Sequence, residues 1–304
     1  MTDRKLGICV ATKPHVDINC LVRCIETCVY NNVDYFILDL IQQKFVYNDA
    51  FDTLAKSNVI PIAEKLSFDL TKIYITWKAF SNYNEKSFNF YKEIYKFDRV
   101  YRIFSTILVR KYIFCFNLPK ENDDIKLYFE NIKTFLFEVQ SRYKNIEIFI
   151  QNSTNSTVNF NNDAKSIKKL LNFLNENNIK AKCFIDLFSF LTFYGNEIKS
   201  AKFLFNSLFK NLTNEEVEGI ILSNISKFNQ NKCEFAQKGY YDLDFYRDIA
   251  SNNITKNLDL IIYKTMCNVK NAELFIDFSK LTKDRCVDVK TSYTDYLFYD
   301  PRES

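Results

Sequence analysis

Short apolar runs recur along this chain, and between them lie segments whose apolar residues return every three or four positions. The runs are Leu6–Val10, Tyr35–Leu40, Val59–Ile62, Tyr112–Phe116, Ile146–Ile150, Ala181–Asp186, Gly219–Leu222 and Leu258–Tyr263. Each is too short for a helix and reads as a strand buried on both faces. Helix periodicity is clearest over Ile18–Tyr30, with Leu21, Cys24, Ile25 and Cys28 on one face, and over Ile125–Tyr143, with Ile125, Phe129, Ile132, Phe135, Leu136 and Val139 on one face. Further helices fit Asp49–Ser57, Glu85–Ile107, Asp163–Glu176, Glu197–Leu208, Leu243–Ser251 and Ala272–Leu281. Regular alternation of strand and helix implies parallel strands joined by crossover helices. Eight such units predict an α/β protein of one domain, a closed (β/α)8 barrel over residues 1–290, followed by a C-terminal extension over 291–304.

The length of 304 residues suits one such barrel. Thirty Phe and 19 Tyr predict an aromatic core, and only 4 Gly and 4 Pro leave turn chemistry to Asn, Asp and Ser. Net charge is +4, mildly basic, which permits a polyanionic partner and does not require one. No apolar stretch approaches the ~20 residues that span a bilayer, so no membrane association is expected. Met1-Thr2-Asp3-Arg4-Lys5 runs into the first strand without a signal-peptide core, and the 9 Cys form no C-x-x-C pair. Reduced thiols in an intracellular, cytoplasmic or nuclear protein, not a secreted one, are the expectation.

Barrel active sites are built at the C-terminal ends of the strands. In this sequence those ends carry Cys9, Asp39, Ile62, Leu118, Gln151, Asp186, Ser223 with Asn224, and Tyr263 with Lys264. Taken in order, the segments around them resemble endonuclease IV, the zinc-dependent apurinic/apyrimidinic endonuclease of the xylose isomerase-like barrels. Leu6-Gly7-Ile8-Cys9-Val10 is similar to that family's opening Ile-Gly-Ala-His-Val, and Ile150-Gln151-Asn152 stands where it has a Glu-Asn pair after an apolar strand. Cys183-Phe184-Ile185-Asp186-Leu187-Phe188-Ser189-Phe190 resembles its Cys-Ile-Asp-Thr-Cys-His-Ala strand end. Ile221-Leu222-Ser223-Asn224-Ile225-Ser226-Lys227 resembles His-Leu-Asn-Asp-Ser-Lys, and Ile261-Ile262-Tyr263-Lys264-Thr265 the closing Leu-Glu-Thr. The resemblance runs through nearly the whole barrel in the same order.

Carried over residue by residue, the resemblance implies a metal site whose ligands are replaced. The ligand positions fall on Cys9, Ile62 or Ala63, Leu118 before Pro119, Gln151, Ser189, Ile221, Lys232 and Glu234 as an Asp-x-His pair, and Tyr263, with Asp186 alone retained. Zinc needs imidazole nitrogen and carboxylate oxygen converging at roughly 2.0–2.2 Å, which Leu, Ile and Tyr do not supply. No metal and no other cofactor is therefore expected.

Several other residues have simpler roles open to them. His15, the chain's one histidine, reads as a loop or cap residue, since general acid–base work needs a positioned partner. Cys20, Cys24 and Cys28 recur on one helix face as small hydrophobes do. Asp186 reads either as a general base or as a local cap of the turn that follows it, with Glu234 and Glu64 as further carboxylates. Lys264 invites a Schiff-base role, but the family match puts Tyr263 inward instead. Gln43, Lys44 and Phe45 occupy the loop with which the family enters the DNA minor groove, and Lys227 lies near the same mouth, so these are the DNA-contacting candidates. Lys168-Lys169 reads as a solvated helix face, and Arg110-Lys111 lies at a strand start, the wrong end for a substrate. Tyr293, Tyr296, Phe298 and Tyr299 of the extension dock on the barrel or offer anchors to a protein partner.

Three functions fit the sequence. One is a catalytically degenerate barrel acting as a binding or structural protein, with DNA as a candidate partner. The second is a DNA-repair endonuclease with an altered metal site using Asp186 and Glu234. The third is a barrel enzyme with a rebuilt pocket and an unrelated substrate.

Overall fold

The computed structural model describes residues 5–11, 33–39, 70–78, 83, 88–105, 109–116, 124–151, 164–188, 209–225, 233–235 and 260–266. The strands are β1 (Lys5–Ala11), β2 (Tyr35–Asp39), β3 (Ile73–Lys78), β4 (Lys111–Cys115), β5 (Glu147–Gln151), β6 (Ala181–Asp186), β7 (Val217–Ile225), β8 (Cys233–Phe235) and β9 (Leu260–Met266). Helices α1 (Phe90–Ser105), α2 (Ile125–Arg142) and α3 (Ala164–Glu176) follow β3, β4 and β5. The sheet order is β6-β5-β4-β3-β2-β1-β9-β7-β8, and β6 also pairs with β7. Apart from β8, which forms an antiparallel ladder with β7, every pairing is parallel. The ladder thus returns on itself through β6 and β7, the arrangement of a TIM-barrel-like α/β fold.

The pairing corrects one expectation. The third strand is Ile73–Lys78, bonded to β2 and β4, not the run Val59–Ile62, which lies outside the described residues. Pro61 within that run lacks the N–H that a central strand must donate to its ladder. The remaining expected strands match to within one residue at each end, except those at Val217–Ile225 and Leu260–Met266, which differ by two residues at the start and three at the end.

Each ring strand sends one side chain to a common interior cluster: Cys9, Ile37, Tyr74, Ile113, Phe149, Phe184, Ile221 and Ile262. Tyr74, Phe149 and Phe184 meet edge to face with centroids 5.2–5.5 Å apart. Such ring pairs contribute about 0.5–1.5 kcal/mol each beyond their buried area. The alternate strand residues face the helices. There Trp77 stacks on Phe135 of α2 at 5.0 Å and meets Phe97 of α1 edge-on at 5.9 Å. Asp124 caps α2, its carboxylate accepting from the N–H groups of Lys126 and Leu127. Asn145 and Asn178 take positive φ (62° and 63°) in the turns before β5 and β6, doing the work of glycine in a glycine-poor chain. Lys168, read from sequence as solvated, instead pairs with Glu216 just before β7.

A β-bulge shapes the lower end of the barrel. Cys183 pairs with Val217 and Phe184 with Gly219, which leaves Glu218 as the extra residue on β7. Its carboxylate accepts from the Tyr74 hydroxyl (2.9 Å) and from Lys182 Nζ (2.9 Å). Lys111 Nζ lies 3.4 Å from the same hydroxyl and 4.9 Å above the Tyr74 ring. All of these residues lie near the N-terminal ends of their strands, where barrels invest in stability and not in chemistry.

Candidate functional site at the barrel mouth

Side chains alternate along a strand, so the residue two positions after each interior cluster member faces the same cavity one layer higher. On β2 to β7 that residue is Asp39, Thr76, Cys115, Gln151, Asp186 and Ser223. All six are buried, between 0% and 5% exposed. Of the seven buried polar or charged residues among those described, five stand in this layer, so buried polarity is concentrated at the C-terminal mouth.

The centre of the layer is a hydrogen-bonded triad from three adjacent strands. Gln151 Nε2 donates to Asp186 Oδ2 (3.3 Å), and the Ser223 hydroxyl donates to Asp186 Oδ1. The backbone N–H of Phe188 is shared between Asp186 Oδ1 (3.0 Å) and Ser223 Oγ (2.8 Å). Asp186 therefore does two jobs: it caps the turn that follows its own strand, and it ties β5 and β7 to β6. Thr76 Oγ1, 1% exposed by residue, is buried without a hydrogen-bond partner. On the other face of β6, burial pushes the Cys183 thiol far up, which keeps it a neutral core residue.

The structure brings together Gln151, Asp186 and Ser223 of the residues anticipated from sequence. Cys9 and Ile221 lie one layer lower, inside the apolar cluster. Tyr263 does not hold the interior position expected of it: Ile262 is the interior member of β9, and alternation leaves position 263 in register with Ile8 and Leu222 and position 264 with Cys9. Glu234 pairs with Asn224 across the β7–β8 ladder. The third-strand position assigned to Ile62 or Ala63 belongs to a segment that is not the third strand, and the mouth residue of that strand is Thr76. Leu118, Ser189, Gln43, Lys44, Phe45, Lys227, Lys232, Glu64, His15, Cys20, Cys24, Cys28 and the extension lie outside the described residues. Thr76 and Cys115 were missed by the sequence reading; the signal for both is the two-residue step from a core position, which requires the correct strand.

Among the described residues no three His, Cys, Asp or Glu side chains are grouped to hold a metal ion. The donor set also fits zinc poorly. Gln151 supplies a neutral carboxamide, Ile221 no donor, and both Asp186 oxygens already accept from protein groups. No described helix is long and apolar enough to cross a membrane.

The fold is similar to those of several solved structures. Endonuclease IV from Thermus thermophilus aligns with a TM-score of 0.59 at 9% identity, over 86% of this chain and 92% of that one. The 3-keto-D-glucoside 4-epimerase of E. coli aligns at 0.52 and 11% identity, over 86% and 91%. D-allulose 3-epimerase from Methylomonas sp. aligns at 0.52 and 12% identity, over 86% and 84%. At such identities the likeness speaks for the fold alone. No protein-family model matches the chain, and no curated protein does.

Proposed function

We propose that this chain is a (β/α)8 barrel of endonuclease IV-like ancestry whose metal site has been converted into a self-satisfied polar cluster, and that it works as a binding or structural protein. In this reading the barrel occupies residues 1–290, and 291–304 extend from it. The observation that carries the proposal is the state of Asp186. It is fully buried, and its two oxygens accept from Gln151, Ser223 and the Phe188 N–H. A metal-binding carboxylate must keep lone pairs available for the ion. Here three protein donors occupy three of its roughly four acceptor positions.

DNA is the first candidate partner at the mouth, through Gln43, Lys44, Phe45 and Lys227, in an intracellular setting. The repair-enzyme reading needs Glu234 and Asp186 to act as an acidic pair around an altered metal site. The rebuilt-pocket reading draws on Thr76, whose buried hydroxyl awaits an acceptor or a donor. Elemental analysis of purified protein, joined to abasic-site cleavage with and without chelator, separates these. The expected outcome is no stoichiometric zinc and no chelator-sensitive cleavage. Bound zinc in stoichiometric amount, with cleavage lost on chelation, would overturn the proposal.

A further inference from the structure

We draw no further inference here: the strongest candidate, the buried Thr76 hydroxyl left without a hydrogen-bond partner at the barrel mouth, belongs to the site already described, and nothing in the structure shows what ligand it would take.

Discussion

Replacing Asp186 in two ways separates its hydrogen bonds from its charge. In Asp186→Asn the remaining carbonyl oxygen can sit at Oδ1 and still accept from Ser223 and the Phe188 N–H. The new amide faces Gln151, whose own carboxamide can turn over to present its oxygen, so the link at Oδ2 is reversed and kept. Charge assistance is lost from these bonds, but an ionised group no longer has to be held away from water, and the two effects oppose each other. The expected change is within about 1 kcal/mol. Asp186→Ala is different. The Phe188 N–H keeps Ser223 Oγ, while the Ser223 hydroxyl and the Gln151 amide each lose an acceptor in a closed site. At about 1–3 kcal/mol for each of the two stranded groups, the loss should be roughly 2–6 kcal/mol. Urea unfolding followed by tryptophan emission measures both, because Trp77 is the chain's one tryptophan and is 1% exposed between α1 and α2. If Asn proved as damaging as Ala, the negative charge itself would be required. The mouth would then hold a cation, and the self-satisfied cluster would be wrong.

Two further expectations bear on the same structure. Gln151→Glu should place a second carboxylate against Asp186 in a buried site, where like charges raise the affinity for a proton; stability at neutral pH should fall by about 1–3 kcal/mol and recover as pH drops toward the ordinary carboxylate range, and unchanged stability at pH 7 in urea titrations would contradict the hydrogen bond. Burial, first among the causes, pushes the hydroxyls of Tyr74, Tyr83, Tyr112 and Tyr143 above their ordinary value of 10.0. Because the folded-state values are raised, this stability is fully present below pH 10 and is lost as pH climbs further, where only the unfolded chain forms tyrosinate; an ultraviolet titration in which all 19 tyrosines ionise near pH 10 with the fold intact would refute it.

Periodicity made most of this fold readable, for a simple reason. A strand buried on both faces is a short apolar run whatever its neighbours are, and Tyr35–Asp39 or Ala181–Asp186 can be recognised one at a time. β3 escaped because its inward side chains are Tyr74 and Thr76, which interrupt the apolar run with polar atoms that only a barrel interior makes sense of. The error spread to the site. With Val59–Ile62 as the third strand, the mouth position falls on Ile62 or Ala63, whereas the pairing of Ile73–Lys78 puts Thr76 there. The bulge at Glu218 was likewise invisible, since a register shift leaves no residue-type signature; the expected strand began at Gly219, one residue too late to include it. Asp39, Gln151, Asp186 and Ser223 were legible as strand ends. What could not be read was that three of them close on each other.

The two ends of the barrel handle buried polarity in opposite ways. At the lower end, Glu218, Lys182 and Lys111 keep partial access to water around the buried Tyr74 hydroxyl, so no charged member bears a full desolvation penalty. At the mouth, access to water is gone, and any carboxylate there needs donors from the protein or from an ion. Gln151 is the informative position. A glutamate there would oppose Asp186 unless a cation lay between them. A glutamine of the same shape brings an N–H to the same point, and the pair becomes attractive without any ion. In the proposed reading, that exchange of an oxygen for an NH2 is what lets the mouth dispense with a metal. Ser223 and the Phe188 N–H complete the set of protein donors around Asp186.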